Sequence, residues 1–335
     1  MLVKFSHDIF FHSYSAVGGY EEMRGKLKDR FDFFDKSDSF GKKTWELAEG
    51  EMCRTALNLA LQKGNISHGN LSLIIGGDLQ NQCVATSLGL SSFGAPFFGV
   101  YGACSTCTES LALLAAFLEL RGEGFGAAVT SSHNSAAERQ FRTPIEYGGQ
   151  RNKCAQWTAT AAGAFCLGVG SARGKAKIKE AMAGRIIDGA IRDGANMGGA
   201  MAFAAFDTIK RYFDESGRAV TDFDYIVTGD LGRVGSAVLR ELLSKELPSA
   251  VGRHEDCGLL LYDEEIQDVH SGASGCGTSA SVLAAHFLPL LEQGAVKRIL
   301  FLSTGALMSP SSIQQGQNIF GIAPLIHLEG GDTLA

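Results

Sequence analysis

Positive charge is in short supply in this chain. Lys and Arg total 30 against 36 Asp and Glu, a formal net charge of -6. That balance excludes a nucleic-acid surface, which needs a basic face, and gives no general attraction to anionic lipid. Proline is also scarce, at 6 residues, and tryptophan numbers 2. No long hydrophobic run is present: the apolar stretch Leu111–Leu118 is closed by Glu109 and Glu119, far short of the roughly 20 residues that span a bilayer. The opening segment Met1–Ser13 carries Lys4, His7 and Asp8, so no signal peptide is expected and the chain is placed in the cytoplasm. The eight cysteines have no pair-of-pairs spacing; without export they read as free, buried thiols, and no metal is expected. Gly168-Val169-Gly170 and the Gly229–Gly235 stretch lack the dinucleotide fingerprint, so no nucleotide or other cofactor is expected. The basic run Arg173–Lys179 reads as a solvated connector.

What is abundant is glycine, 42 residues in 335, with 45% hydrophobic and 20% charged residues. The length suits two packed halves, and glycine suits tight strand-to-helix turns. Two segments follow one plan. A helix around Trp45–Gln62 leads to the strand Leu71–Ile75 and Gly76-Gly77-Asp78-Leu79. A helix around Gly199–Phe213 leads to the strand Tyr225–Thr228 and Gly229-Asp230-Leu231. The copies continue: Gly102-Ala103-Cys104-Ser105-Thr106 precedes the apolar helix Ser110–Leu120, and Gly275-Cys276-Gly277-Thr278 precedes Ser279–Leu290. Strands Ala127–Ser132 and Arg298–Thr304 follow. Cys104 to Thr130 is 26 positions and Cys276 to Ser303 is 27, a duplication at near-equal spacing. Alternating strands and helices predict parallel sheets with right-handed crossovers. The two apolar helices have little polar face for water, so they are expected between the sheets. The predicted fold is an α/β layered α/β/α/β/α sandwich of two duplicated halves, 1–188 and 189–335.

The turn Tyr101-Gly102-Ala103-Cys104-Ser105-Thr106-Cys107 carries the strongest chemical signal. The strand Phe97–Val100 runs into small residues, and Cys104 starts a buried helix, where backbone N–H groups stabilise a thiolate, an oxyanion or a bound carboxylate. The plain alternative is a buried structural thiol. Cys104-x-x-Cys107 lacks the surroundings of a redox pair. His133 follows the strand Ala127–Ser132 and is either a base or ligand donor near Cys104 or a hydrogen-bonded structural histidine; His270 is weighed in the same way. Asp78 and Asp230 occupy equivalent points of the repeat and either tie turns or, for Asp78, face the pocket.

The Cys104 turn resembles the nucleophile turn of the thiolase and ketoacyl synthase superfamily, whose synthase III branch reads Ala-Cys-Ser-Gly-Phe there. The resemblance puts Cys104 at the acyl-accepting position and covers essentially the whole chain. Synthase III enzymes also use a His and an Asn from the second half. Here the first region reads Gly229-Asp230-Leu231-Gly232 without a His, and Gly277 stands in Cys276-Gly277-Thr278-Ser279-Ala280 where the family has Asn. Losing one such donor costs about 10²–10³ in rate.

Further segments narrow the resemblance to the stage V sporulation protein AD family: Gly76-Gly77-Asp78-Leu79-Gln80-Asn81-Gln82, Thr130-Ser131-Ser132-His133, Gln140-Phe141-Arg142, Glu146-Tyr147-Gly148, Gln156-Trp157-Thr158 and Asp268-Val269-His270-Ser271-Gly272. That resemblance implies a sporulation protein that binds dipicolinic acid (pyridine-2,6-dicarboxylate) and supports its uptake into the developing spore. It would work with membrane-embedded partners of the same operon, peripherally associated with the forespore or spore inner membrane. The expected ligand-binding residues are Cys104, Ser105, Asp78, Asn81, Gln82, Ser132, His133, Arg142 and His270, with Ser131 also on the loops. Arg139, Arg142, Arg151 and Lys153 are the candidate cations for the carboxylates. An active Cys-dependent acyltransferase and a purely structural adaptor are the alternatives. Superfamily members pair through their N-terminal sheets, so a homodimer through the edge strand Phe97–Val100 is a further expectation.

Overall fold

The computed structural model describes residues 1–141, 151–170 and 174–331. Ten strands run in one continuous order through its 11-stranded main sheet, and the short strand Phe33–Phe34 pairs beside the first of them. In the first half they are β1 (Leu2–Gly18), β2 (Leu71–Gly77), β3 (Phe97–Gly99), β4 (Phe125–Ser132) and β5 (Ala161–Val169). In the second half they are β6 (Lys177–Met182), β7 (Tyr225–Thr228), β8 (His254–Asp256), β9 (Arg298–Leu302) and β10 (Leu325–Glu329). The principal helices are α1 (Trp45–Gly64), α2 (Val84–Leu90), α3 (Thr106–Arg121), α4 (Asn134–Phe141), α5 (Met197–Ser216), α6 (Gly232–Glu246) and α7 (Cys276–Val282). A π-helical turn, Leu283–Phe287, carries α7 on to a last short helix at Leu288–Glu292.

The strand order is β3-β2-β4-β5-β1 in one half and β8-β7-β9-β10-β6 in the other. Adding five to each number of the first order yields the second, so the duplication read from the sequence is a duplication of topology. The halves join where β1 pairs antiparallel with β6, Leu2 opposite Met182 and Ile9 opposite Ile178. The repeat therefore restarts at Lys177, upstream of the 1–188 and 189–335 division drawn from the sequence.

Burial explains the apolar strands. Ile75 and Ala128 face a central core with Leu111 and Leu114, while Ile74, Ala127 and Val129 face α1. In the second half Val227, Ile299 and Phe301 face the same central core, and Ile226, Leu300 and Leu302 face α5 and α6. A strand covered on both faces has no polar side to show, hence its continuous apolar run. The layers are α1/α2, the first sheet, α3/α7, the second sheet and α5/α6, which meets the five-layer expectation.

Two expectations need correction. The sheets are mixed rather than parallel. β5 runs antiparallel to β4 and β1, and β10 antiparallel to β9 and β6. Ser132 pairs with Ala161 and Leu302 with Leu325, so each connection leaves and returns at the same end of its sheet. A connection that does not cross the sheet must return antiparallel. Second, the two central helices differ. Cys276–Leu283 is wholly buried, but α3 exposes Leu113, Phe117 and Leu120 on its outer face while Leu111, Leu114, Ala115 and Leu118 pack inside. Among the described residues, Ala103–Arg121 is a helix long and apolar enough, by length and composition, to cross a membrane. Its inner face lies between the two sheets, as in a core helix.

Candidate functional site

The turn before α3 is pinned by its own small polar side chains. Ala103 sits at φ +52°, left-handed backbone that is costly for a residue with a Cβ. Three contacts hold it. Ser105 Oγ donates to Gly102 O (2.6 Å), Thr106 Oγ1 donates to Ala103 O (2.7 Å), and Gly102 N–H donates to Thr106 Oγ1 (3.2 Å). A Cβ at Gly102 would meet Glu109 Oε2 at 2.0 Å and Ser105 Oγ at 2.7 Å, so a larger residue there would have to shift those side chains. The Ser105 N–H donates to Gly102 O and the Thr106 N–H to Ala103 O. These two donors, expected to face a ligand, are consumed within the turn.

The result is a buried Cys104 at the floor of a cavity of about 340 Å³. Leu79, Ala137, Phe141, Met197, Met308 and Ile313 form apolar walls, and Glu138, Arg151, Asn152, Thr158 and Ser274 supply polar atoms. The walls come largely from the two connections that stay at one end of their sheets, residues 133–141 with 151–160, and 303–324. A short parallel pairing, Trp157–Thr158 beside Ala273–Ser274, knits the halves at the cavity edge. Gln156 Nε2 clamps that seam, donating to Asp230 O and Ala273 O, each at 2.7 Å.

Behind Cys104 stands a carboxylate. Asp230 follows β7 and is 1% exposed. Its Oδ1 accepts from Thr304 Oγ1 (2.8 Å), and its Oδ2 accepts from Gly275 N–H (2.8 Å) and Ser274 Oγ (3.4 Å). Burial raises its pKa to about 6, against the hydrogen bonds from Cys104, Gly275 and Thr304. Burial first, and then the Asp230 charge, push the Cys104 thiol well above the ordinary value. The expected thiolate is thus disfavoured: the local field opposes a negative sulfur and outweighs the helix N-terminus.

The Asp230 loop is itself held by a buried relay. Arg240 Nε donates to His254 Nδ1 (3.3 Å), His254 Nε2 meets Thr228 Oγ1 (2.8 Å), and Thr228 Oγ1 donates to Asp256 Oδ2 (2.6 Å). Asp256 accepts the N–H groups of Leu231 (2.8 Å) and Gly232 (3.0 Å). Burial and the neighbouring Arg240 charge lower the His254 pKa to about 3, so the ring is neutral.

The second-half Asn of condensing enzymes has no room here. A Cβ on Gly277 would meet Ala161 O at 2.2 Å and Ser132 N at 2.8 Å.

Of the residues singled out from the sequence, Cys104 lines the cavity. Ser105 ties the turn. Asp78 is buried and saturated, accepting Gln80 N–H (2.8 Å), Thr86 N–H (2.8 Å) and Thr86 Oγ1 (2.5 Å). Asn81 and Gln82 are exposed, and Asn81 Oδ1 accepts from Tyr101 OH at 3.1 Å. Ser132 Oγ donates to Ala159 O (2.7 Å) and accepts from Gly277 N–H (3.2 Å). His133 is turned away, with Nε2 at 2.9 Å from Asp38 O and its ring 5.2 Å from that of Trp45. His270 bridges Asn152 O (2.9 Å) and Asp268 (3.0 Å) beside the cavity edge. Arg142 lies outside the described residues. Among the cations, Arg139 pairs with Glu46, Lys153 is exposed, and Arg151 lines the cavity. Ser131 belongs to a buried cluster behind the floor, where Glu49 accepts from Ser131 Oγ (2.9 Å) and Gln80 Nε2 (2.5 Å). Burial and the Asp78 charge raise the Glu49 pKa to about 8.

The reading from sequence missed Asp230 as the partner of Cys104, and missed the Met197, Met308 and Ile313 walls. The Gly-Asp-Leu repeat was the available signal for Asp230. The walls had none, because nothing local marks an apolar residue at the start of α5 or in a connection as facing a cavity. All eight cysteines are free, and Cys107, buried against Ser279 and Ser303, has its thiol pushed up to about 12, which leaves no redox pair with Cys104. Among the described residues no cluster of metal ligands forms.

The fold is shared with condensing enzymes. Cerulenin-bound OleA from Xanthomonas campestris superposes with a TM-score of 0.61 at 16% identity, over 97% of this chain and 98% of that one. A 3-oxoacyl-[acyl-carrier-protein] synthase III from Aquifex aeolicus VF5 gives 0.58 at 13% identity, over 95% and 99%. At these identities the likeness concerns the fold. In sequence, the chain is 40% identical over 319 residues to the stage V sporulation protein AD of Bacillus subtilis (strain 168), covering 95% of this chain and 94% of that protein. The sequence model of that family matches residues 1–329. With the duplicated thiolase-like fold and the Cys104 turn in place, the chain belongs to the stage V sporulation protein AD family.

Proposed function

We propose that this sporulation protein is a binder rather than a condensing enzyme: it takes up dipicolinate in the cavity above Cys104 and supports loading of that acid into the developing spore. The carrying observation is the pairing of Cys104 with buried Asp230. An acyl-accepting cysteine needs a thiolate and a site that stabilises negative charge. Here the charge that faces the sulfur is negative, and Gly277 leaves no room for the second-half donor. What remains is an apolar cavity with a few polar groups at its rim, the usual make-up of a small-ligand site. A flat aromatic acid suits its Phe141, Met197 and Met308 walls.

The same reading places the protein at the forespore or spore inner membrane through membrane-embedded partners of its operon. It pairs two copies through the exposed Phe98–Phe117 edge, where the rings stack at 5.4 Å. One observation favours the enzyme alternative: the left-handed Ala103 turn that presents a nucleophile is retained. Calorimetric titration of the purified protein with dipicolinate, beside Cys104→Ala and an acyl-thioester labelling control, separates the two. Saturable binding weakened by Cys104→Ala, with no acyl transfer, supports the binder. A stable Cys104 thioester without dipicolinate binding overturns it.

A further inference from the structure

Resting on the pairing of two copies proposed above, we infer that one row of α3 fixes how they meet: across a twofold axis, Glu109 of each copy faces the partner's Arg121, and Leu113 faces the partner's Phe117. The row is Glu109, Leu113, Phe117 and Arg121, each four residues from the last. Residues four apart form a ridge on a helix surface, the ridge most used in helix packing. This one lies along the open edge of the first sheet. Glu109 reaches back to the turn after β3, where its Oε2 sits in the space a Gly102 Cβ would take. Phe117 stacks on Phe98 of β3, and Arg121 lines a surface groove of about 410 Å³ with Phe98, Phe117, Ser72 and Leu73. Leu113 and Phe117 are exposed apolar side chains.

Both charges of the row are unsatisfied. Among the described residues neither Glu109 nor Arg121 has an ion pair or a side-chain hydrogen bond. The other acid of this part of the helix, Glu119, by contrast accepts the N–H groups of Ser6 (2.8 Å) and His7 (3.0 Å). Glu109 is also half-buried, and burial raises its carboxyl above the ordinary value. A cation arriving there offsets that cost. Read in order, the row is negative, apolar, apolar, positive. In-register parallel packing sets like charge against like. Reversal about a point midway between Leu113 and Phe117 sets opposite charges together at both ends of the row, which lie about 18 Å apart along the helix. A twofold axis performs that reversal, and so makes one patch complementary to its own copy. The same axis runs two open β3 edges antiparallel, a direction in which edge strands pair. Helix and strand therefore ask for one arrangement.

The test is sedimentation equilibrium of the full chain, of Glu109→Lys, of Arg121→Glu, of the doubly reversed chain and of an equimolar mixture of the two single variants. Each single reversal puts two like-charge contacts into the dimer, so each should raise the dimer dissociation constant roughly tenfold or more. The doubly reversed chain should pair as the wild type does. The mixture should form a heterodimer, because the Glu109→Lys chain is positive at both ends of the row and the Arg121→Glu chain is negative at both. Two proteins that fail alone and associate together do not owe the failure to misfolding. Variants as dimeric as the wild type overturn the inference and leave the pairing intact. So do monomeric single variants that neither double reversal nor mixing rescues, which would mean a disturbed face rather than a charge contact. A monomeric wild type overturns both the inference and the pairing.

Discussion

The buried carboxylate of Asp230 acts on the Cys104 thiol, and this pairing reverses the electrostatics of the turn that presents it. A helix N-terminus favours a thiolate by a few tenths to about 1 kcal/mol. A buried carboxylate that acts on the sulfur opposes it more strongly, because the site is screened from water.

Asp230→Asn tests that balance. Removing the charge keeps one acceptor, for the Gly275 N–H, and turns the other position into an N–H donor that the Thr304 hydroxyl can accept, while lowering the cost of a thiolate at Cys104. Alkylation of Cys104 by iodoacetamide at pH 8 should be at least tenfold slower than for an exposed thiol in the wild type, since each unit of pKa shift changes the thiolate fraction about tenfold. The rate should rise severalfold in the variant. An unchanged rate, followed by mass spectrometry of the Cys104 peptide, would show that access rather than charge limits the sulfur.

Gly277→Asn restores the residue type of condensing enzymes but not the donor. Its Cβ would have to displace Ala161 O and Ser132. Overpacking of this kind costs roughly 1–3 kcal/mol, so the midpoint in a urea titration should fall with no gain of decarboxylation activity on malonyl thioesters. A stable, active variant would contradict that crowding.

The exposed ring pair at the first-sheet edge tests self-association. Phe117 is 42% and Phe98 51% exposed, beside an unpaired edge of β3. If two copies meet there, sedimentation velocity should show a dimer for the wild type and a monomer for Phe117→Glu, with unchanged melting temperature. A monomeric wild type would remove the pairing proposal.

Glu49 provides a pH signature. Its carboxyl is raised to about 8 in the folded protein from an ordinary 4.5. The folded state therefore holds a proton that the unfolded state releases between those values, so this group's contribution to stability is present below pH 4.5 and is lost as pH rises toward 8. Glu49→Gln cannot ionise. Its stability relative to wild type should climb between about pH 5 and 8 and then level off. A pH-independent difference in chemical denaturation would mean that Glu49 is already ionised in the fold.

Much of this protein was readable from its sequence, for a local reason. The strand Tyr225–Thr228 and the helices around Trp45 and Gly199 are read from short apolar runs and their repeated order; the structure shows those helices capped by Thr44 and Asn196, whose side chains accept the N–H groups of Leu47 and Gly199. The duplication followed from equal spacing, and Cys104 from a strand, a small-residue turn and an apolar helix in succession.

Only tertiary structure decided the rest. Nothing local shows that β5 and β10 return antiparallel, because a strand buried on both faces is apolar in either direction. Those two reversals keep residues 133–141, 151–160 and 303–324 at one end of the sheets, and there they wall the cavity. They also decide which polar side chains reach it. His133, next to β4 in sequence, turns to Asp38, whereas Asp230, 126 positions from Cys104 along the chain, becomes its partner. Composition and periodicity determine which segments become strands and helices. Whether a buried sulfur meets a charge depends on how two distant loops are brought together, and that is set by packing.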